Sequence, residues 1–206
     1  MKKITQTLLY KHLLMALVET MYKFDPYVKI TQALKQEFIH PNDKKQNFYY
    51  YIPSSNVYIK TVLLDLLKDP NLSNYRNFID IGAGTPLIMD IFEQVLPDLS
   101  WYKRFTSLEL SDIYCEIFKK LKKGNLLTYN FKEYDILYSY NPIRNSDLMI
   151  EGLKNIINTM KEGAILYYVA ADHKVEKYLQ NNLATTDCIL LDENSTIYKY
   201  TKPVIN

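Results

Sequence analysis

The chain has 206 residues, 48% of them hydrophobic and 23% charged, with a formal net charge of +2. That length suffices for one domain with a real core, or for one domain with an appendage, and the balance excludes an intrinsically disordered chain. Residues 1–50 hold eight Lys against four acids while the remainder holds 17 basic and 19 acidic residues, so attraction to an anionic partner is mild and confined to the N-terminal part. Cys115 and Cys188 lie far apart, as do His12, His40 and His173. No metal-ligand spacing results, so a reducing, cytoplasmic setting without a metal is expected. The apolar run over 13–18 is far short of the roughly 20 residues of a membrane span, and no secretory signal is expected.

In chain order, Ile4, Leu8, Leu13, Val18 and Met21 predict an amphipathic helix over 3–22. Phe24-Asp25-Pro26 breaks it, and a second helix over 27–39 ends before Pro41. With the polar loop 42–47 these form an N-terminal helical extension over 1–47, ahead of a domain over 48–206. The aromatic run Phe48-Tyr49-Tyr50-Tyr51 reads as a seam between the two. Ser54 or Ser55 can cap a helix over 56–68 whose buried side is Val57, Leu63, Leu64 and Leu67. Strands over 77–81, 104–110, 134–140 and 164–170 then alternate with helices over 85–96, 112–122, 146–161 and 172–181. A short piece over 126–130 precedes the strand at 134, and Trp101 packs the loop between the first two strands. Such alternation predicts a parallel sheet covered on both faces. Strands over 186–191 and 196–202 are joined by Asp192-Glu193-Asn194-Ser195, a link that makes them an antiparallel hairpin.

The densest chemistry lies at the end of strand 77–81. Asp80 is followed by Gly82-Ala83-Gly84, and Glu109 closes the next strand 29 residues later. Glycines let the backbone turn sharply and approach a ligand without a Cβ in the way. Thr85 then reads as an N-cap and Pro86 as the first helical residue. A carboxylate at Glu109 can accept hydrogen bonds from both hydroxyls of a ribose. A plain strand-to-helix turn is the simpler reading of one Gly-x-Gly, and the second acid shifts the balance toward an adenosine-type cofactor. Leu87 stands where the dinucleotide fingerprint needs its third glycine, and no Gly-x-x-x-x-Gly-Lys-Ser/Thr occurs. A nicotinamide dehydrogenase is thereby disfavoured and a triphosphate loop excluded.

This stretch resembles motif I of class I S-adenosylmethionine-dependent methyltransferases, Asp-x-Gly-x-Gly-x-Gly: Asp80, Gly82 and Gly84 match, with Pro86 at the last glycine. The resemblance spans about 52–202 and includes the terminal hairpin. It implies a Rossmann-like, doubly wound, mostly parallel seven-stranded sheet ending in an antiparallel hairpin, with S-adenosyl-L-methionine as cofactor. It also implies that Asp80, Gly82 and Gly84 border the methionine end and Glu109 binds the ribose, with Ala83, Leu110 and Ser139 as further contacts. Gly124-Asn125-Leu126 is similar to the family's adenine-binding Gly-Asp-hydrophobic, which makes Asn125 the candidate there and Asn130 its rival. Ser139-Tyr140-Asn141-Pro142 resembles motif IV, implying catalytic roles for Asn141, as acceptor of hydrogen bonds from a target amine, and for Tyr140. An ordinary Asn-Pro turn is the alternative for Asn141. Ile143 and Arg144 replace the family's second Pro and base-stacking aromatic, which favours a protein amine such as lysine over a nucleic acid as methyl acceptor. A non-catalytic scaffold of the same fold and a nicotinamide-dependent oxidoreductase remain as alternatives.

Overall fold

The structure, a computed structural model, describes residues 2–30, 54–95, 104–170, 172–183, 186–192 and 195–204. The predicted helix over 27–39 beyond residue 30, His40, the aromatic run at 48–51 and Trp101 lie outside the described residues.

Seven strands form one sheet: β1 (Asn77–Ile81), β2 (Arg104–Glu109), β3 (Leu121–Lys123), β4 (Ile136–Tyr140), β5 (Ile165–Ala170), β6 (Thr186–Asp192) and β7 (Ser195–Thr201). Their order is β3-β2-β1-β4-β5-β7-β6. The first five pair in parallel, and β7 runs antiparallel between β5 and β6. The helices are α1 (Lys2–Lys23), α2 (Asn56–Leu66), α3 (Leu87–Val95), α4 (Asp112–Ile117), α5 (Ser146–Thr159) and α6 (His173–Asn182).

Alternation along the strands sends successive side chains to opposite faces, and each face has its own core. On one, Ile79, Leu137, Leu166 and Tyr168 meet Met149, Leu153 and Ile156 of α5 and Val175 and Leu179 of α6. On the other, Phe78, Ile136 and Tyr138 meet Val18 of α1, Ile59, Val62, Leu63 and Leu66 of α2, and Leu87 and Ile91 of α3. The second face is not purely apolar. Register aligns Ser107, Asp80, Tyr138, Tyr167 and Lys199 as one row running across β2, β1, β4, β5 and β7. Helix α2 serves this row at both ends. The Tyr138 hydroxyl donates to Ser54 Oγ (2.9 Å), just before α2, and the Tyr167 hydroxyl to Asp65 (2.6 Å), to which Lys199 also pairs (2.8 Å).

Three local expectations are corrected. The helix predicted over 112–122 ends at Ile117, because Phe118 leaves helical geometry and buries against Ala83 and Leu121. The chain freed by that turn becomes β3, a third strand ahead of Gly124. The piece at 126–130 is a turn, its Thr128 and Tyr129 N–H groups donating to the Asn125 carbonyl. Helix α3 begins at Leu87 rather than 85: the Pro86 carbonyl accepts the first helical bond from Asp90, so Pro86 precedes the helix and Thr85 lies outside it. In α2 the buried side is Ile59, Val62, Leu63 and Leu66, while Val57 is 48% exposed; the sheet takes the stripe that also holds Asp65 over Tyr167. Ser55, not Ser54, caps α2.

Candidate functional site

Strand order reverses between β1 and β4, and in open α/β sheets ligands bind outside the carboxyl ends of strands at such a point. Asp80 and Gly82 lie at the end of β1, and Tyr140 and Asn141 at the end of β4. Between them is a narrow cleft of about 30 Å³ lined by Tyr22, Ser54, Asp80, Gly82, Thr85 and Tyr140 among others. Tyr22 comes from α1, so the N-terminal helix closes one wall. A tilted ring contact of 5.5 Å joins Tyr140 to Tyr58 of α2.

Asp80 is 3% exposed, and no described residue hydrogen-bonds to its Oδ2. Burial first, then the neighbouring charge of Glu109, pushes its carboxyl up to about 8. Tyr138, wholly buried, is held far above the usual phenol range by that burial, so its hydroxyl stays a donor to Ser54.

The glycine turn is set by geometry that only glycine accepts readily. Gly82 has φ +75° and Gly84 φ +62°, and the Gly82 and Ala83 N–H groups both donate to the Leu108 carbonyl (2.9 and 3.0 Å). Glu109 ties the turn to β2: its Oε2 accepts from the Gly84 N–H (2.8 Å) and its Oε1 from those of Leu110 and Ser111 (both 2.9 Å). The carboxylate therefore sits at the strand edge within reach of a ligand, but with much of its accepting capacity engaged by backbone. Tyr27 reaches the same loop, its ring edge-on to Phe118 at 5.2 Å and its hydroxyl bonded to Asp90.

The remaining sequence candidates divide. Ala83 lines the cleft. Leu110 is 37% exposed beside Glu109. Asn125, just past β3, is exposed, its Oδ1 accepting from the Leu127 N–H (2.9 Å). Asn130 makes a similar turn to Lys132 (3.0 Å). Ser139 is fully buried and bonds the Ile81 carbonyl (3.4 Å), tying β4 to β1 rather than lining the cleft. Asn141 is buried with φ +32°, its Oδ1 accepting from the buried Tyr168 hydroxyl at 2.6 Å. Tyr22, and Thr85 as a wall rather than a cap, carry no sequence signal for the cleft; the Pro-Ser turn before α2 does, since in the methyltransferase resemblance such a turn can touch the cofactor, although capping is its preferred sequence reading. Asp135, also buried, serves the opposite edge of the sheet: it accepts from the Arg76 and Asn77 N–H groups (both 2.8 Å) and pairs with Lys161. Among the described residues no group of His, Cys, Asp and Glu could hold a metal, and no helix is long and apolar enough to cross a membrane.

The chain has the Rossmann-like fold of class I S-adenosylmethionine-dependent methyltransferases, as three solved structures show. A methyltransferase from Geobacter sulfurreducens superposes with a TM-score of 0.54 at 14% identity over 85% of this chain and 90% of that one. The apo S-adenosylmethionine-dependent methyltransferase SibL gives 0.52 at 11% identity over 70% and 56%. The CurJ carbon methyltransferase gives 0.52 at 12% identity over 74% and 56%. The match thus spans little more than half the length of the SibL and CurJ chains. No family model matches the sequence, and no curated protein does.

Proposed function

We propose that this chain is an S-adenosylmethionine-dependent methyltransferase acting in the cytoplasm, with 48–206 as its catalytic domain and 1–47 as a helical extension that lends Tyr22 to the cleft. One observation carries the reading: Asp80, buried with an unpartnered oxygen, and Glu109 stand at the ends of adjacent strands around a left-handed glycine turn. The polar cleft suits an ammonium-sized group, and the exposed edge at Leu110 and Asn125 leaves room for the ribose and adenine. When bound, S-adenosylmethionine supplies an electrophilic methyl group on a sulfonium sulfur.

The residues of the cleft bind and orient. Asp80 and Ser54 face the methionine end, and Glu109 offers its remaining lone pairs to the ribose. Tyr140 faces the acceptor. Asn141 holds the turn through Tyr168, and we give it that role ahead of direct contact with a target amine. Transfer to a good nucleophile needs alignment more than acid–base help, and alignment supplies much of the rate. A protein amine such as lysine is favoured over nucleic acid because, among the described residues, no Lys, Arg or His lines the cleft to hold a phosphate. The commitment of Asn141 to Tyr168 favours one second reading, a non-catalytic binding protein of the same fold.

Isothermal titration with S-adenosylmethionine and S-adenosylhomocysteine tests the cofactor assignment, and absence of binding by both to folded protein overturns it. Asp80→Ala and Glu109→Ala are each expected to weaken binding about tenfold or more, the scale of a charge-assisted hydrogen bond. Methyl transfer into cell extract, followed by protease or nuclease digestion, separates the acceptors; cofactor binding with no transfer favours the scaffold.

A further inference from the structure

Two buried polar atoms without hydrogen-bond partners among the described residues, Asp80 Oδ2 and Ser107 Oγ, belong to register partners on β1 and β2. Both residues face the α1–α3 side, and Asp80 forms part of the cleft wall. The groups around Asp80 come from every neighbouring element. Glu109 lies two residues beyond Ser107 on the same face of β2, its carboxylate engaged by backbone amides. Tyr138 of β4 is alongside, with its hydroxyl turned to Ser54. Tyr22 of α1, Tyr140 at the end of β4 and Thr85 before α3 complete the rim. None of the described cleft-lining residues is Lys, Arg or His. Among the described residues, an ionised Asp80 would stand desolvated beside a second carboxylate with no cation in the cleft lining, an arrangement that protonation relieves.

We propose that Asp80 is a neutral carboxylic acid in the ligand-free protein and that the ammonium group of an adenosyl ligand displaces its proton on binding, so that the cleft selects cationic ligands with release of one proton. This rests on the cofactor reading above. The exchange balances: the Asp80 O–H bond breaks, its proton leaves to solvent, and the ligand's ammonium pairs with the carboxylate so formed. The upward push on the Asp80 carboxyl by burial and by Glu109 agrees with this geometry.

Titrating the full chain with S-adenosylhomocysteine near neutral pH, in phosphate and in Tris, counts protons from the difference in buffer ionisation heat. About one proton released per ligand is expected, with affinity rising about tenfold per pH unit below the free-state titration of Asp80. 5′-Methylthioadenosine, which lacks the ammonium group, should bind with no release. S-adenosylhomocysteine binding without proton release overturns the proposal and leaves the cofactor reading standing, whereas no binding of it overturns that reading and the exchange with it. A second measurement needs no ligand: the carboxyl carbon resonance of Asp80 in ¹³C-labelled free protein should titrate near the alkaline side of neutrality, and titration in the ordinary carboxylate range overturns the proposal. Asp80→Asn should abolish proton release with S-adenosylhomocysteine; release that persists in this variant overturns the proposal.

Discussion

Gly82 is held between two demands. Its φ of +75° is strained for an L side chain, and a Cβ there would stand 2.2 Å from Pro142 Cβ. Gly82→Ala is therefore expected to cost about 2 kcal/mol or more, since neither the strand-end turn nor the proline ring behind it can give way freely; urea unfolding measures this. Asp80 sets a second residue-scale expectation. Burial and then the charge of Glu109 push its folded-state carboxyl up to about 8 from an ordinary 3.8, so the folded state binds the extra proton between those limits. Stability is then full below about pH 4 as far as this group is concerned, and falls by up to roughly 1.4 kcal/mol per pH unit as pH rises toward 8. Asp80→Asn should flatten that slope in denaturation curves collected across the same window. The motif spacing made Asp80, Gly82 and Glu109 readable as a group. It could not show that Glu109 would bind the glycine turn itself, because that depends on how β2 aligns against β1.

Secondary-structure elements were legible where periodicity was undivided. Helix α5 has its capping Asn145, whose Oδ1 accepts from the Asp147 and Leu148 N–H groups (3.0 and 3.2 Å), and a single buried stripe through Met149, Leu153 and Ile156. Leu153→Ala in that stripe should cost about 2–5 kcal/mol through lost burial and a residual cavity. Helix α4 is shorter than its periodicity predicts for a tertiary reason: Phe118 is apolar at a helical spacing, yet it is buried against Ala83 and Leu121, which ends the helix and frees β3. Helix α2 lies where the sequence predicts it but buries a different side, because its orientation follows the polar row on the sheet as well as its leucines. Tyr167→Phe removes the hydroxyl bonded to Asp65 at that row and should destabilise the protein by roughly 1 kcal/mol. Thermal unfolding of that variant beside the parent checks it.

At the scale of the molecule, one sheet carries a core on each face, and the α1–α3 side has a cleft at its edge. Tyr22 lines that cleft while Val18, one turn earlier on α1, is wholly buried against the core. The N-terminal helix is thus packed into the wall of the site. If the cleft and its exposed edge bind S-adenosylhomocysteine, a hundredfold excess over its dissociation constant should stabilise the folded chain by about 2.7 kcal/mol. For a chain of this size that corresponds to roughly 5–10 °C in Tm. A thermal scan with and without the ligand reads it.

The amino-acid sequence alone determined the alternation of strands and helices, the closing hairpin, and the acid–glycine–glycine–acid spacing, because these are local signals written in periodicity, turn chemistry and chain order. Tertiary structure decided what faces the ligand. Ser139 went into the sheet and Asn141 onto Tyr168, whereas Tyr22 and Ser54 came to the cleft from far upstream in the chain. Strand register decides which residues become neighbours, and helix packing decides which side chain closes a wall; neither quantity is encoded within a single segment.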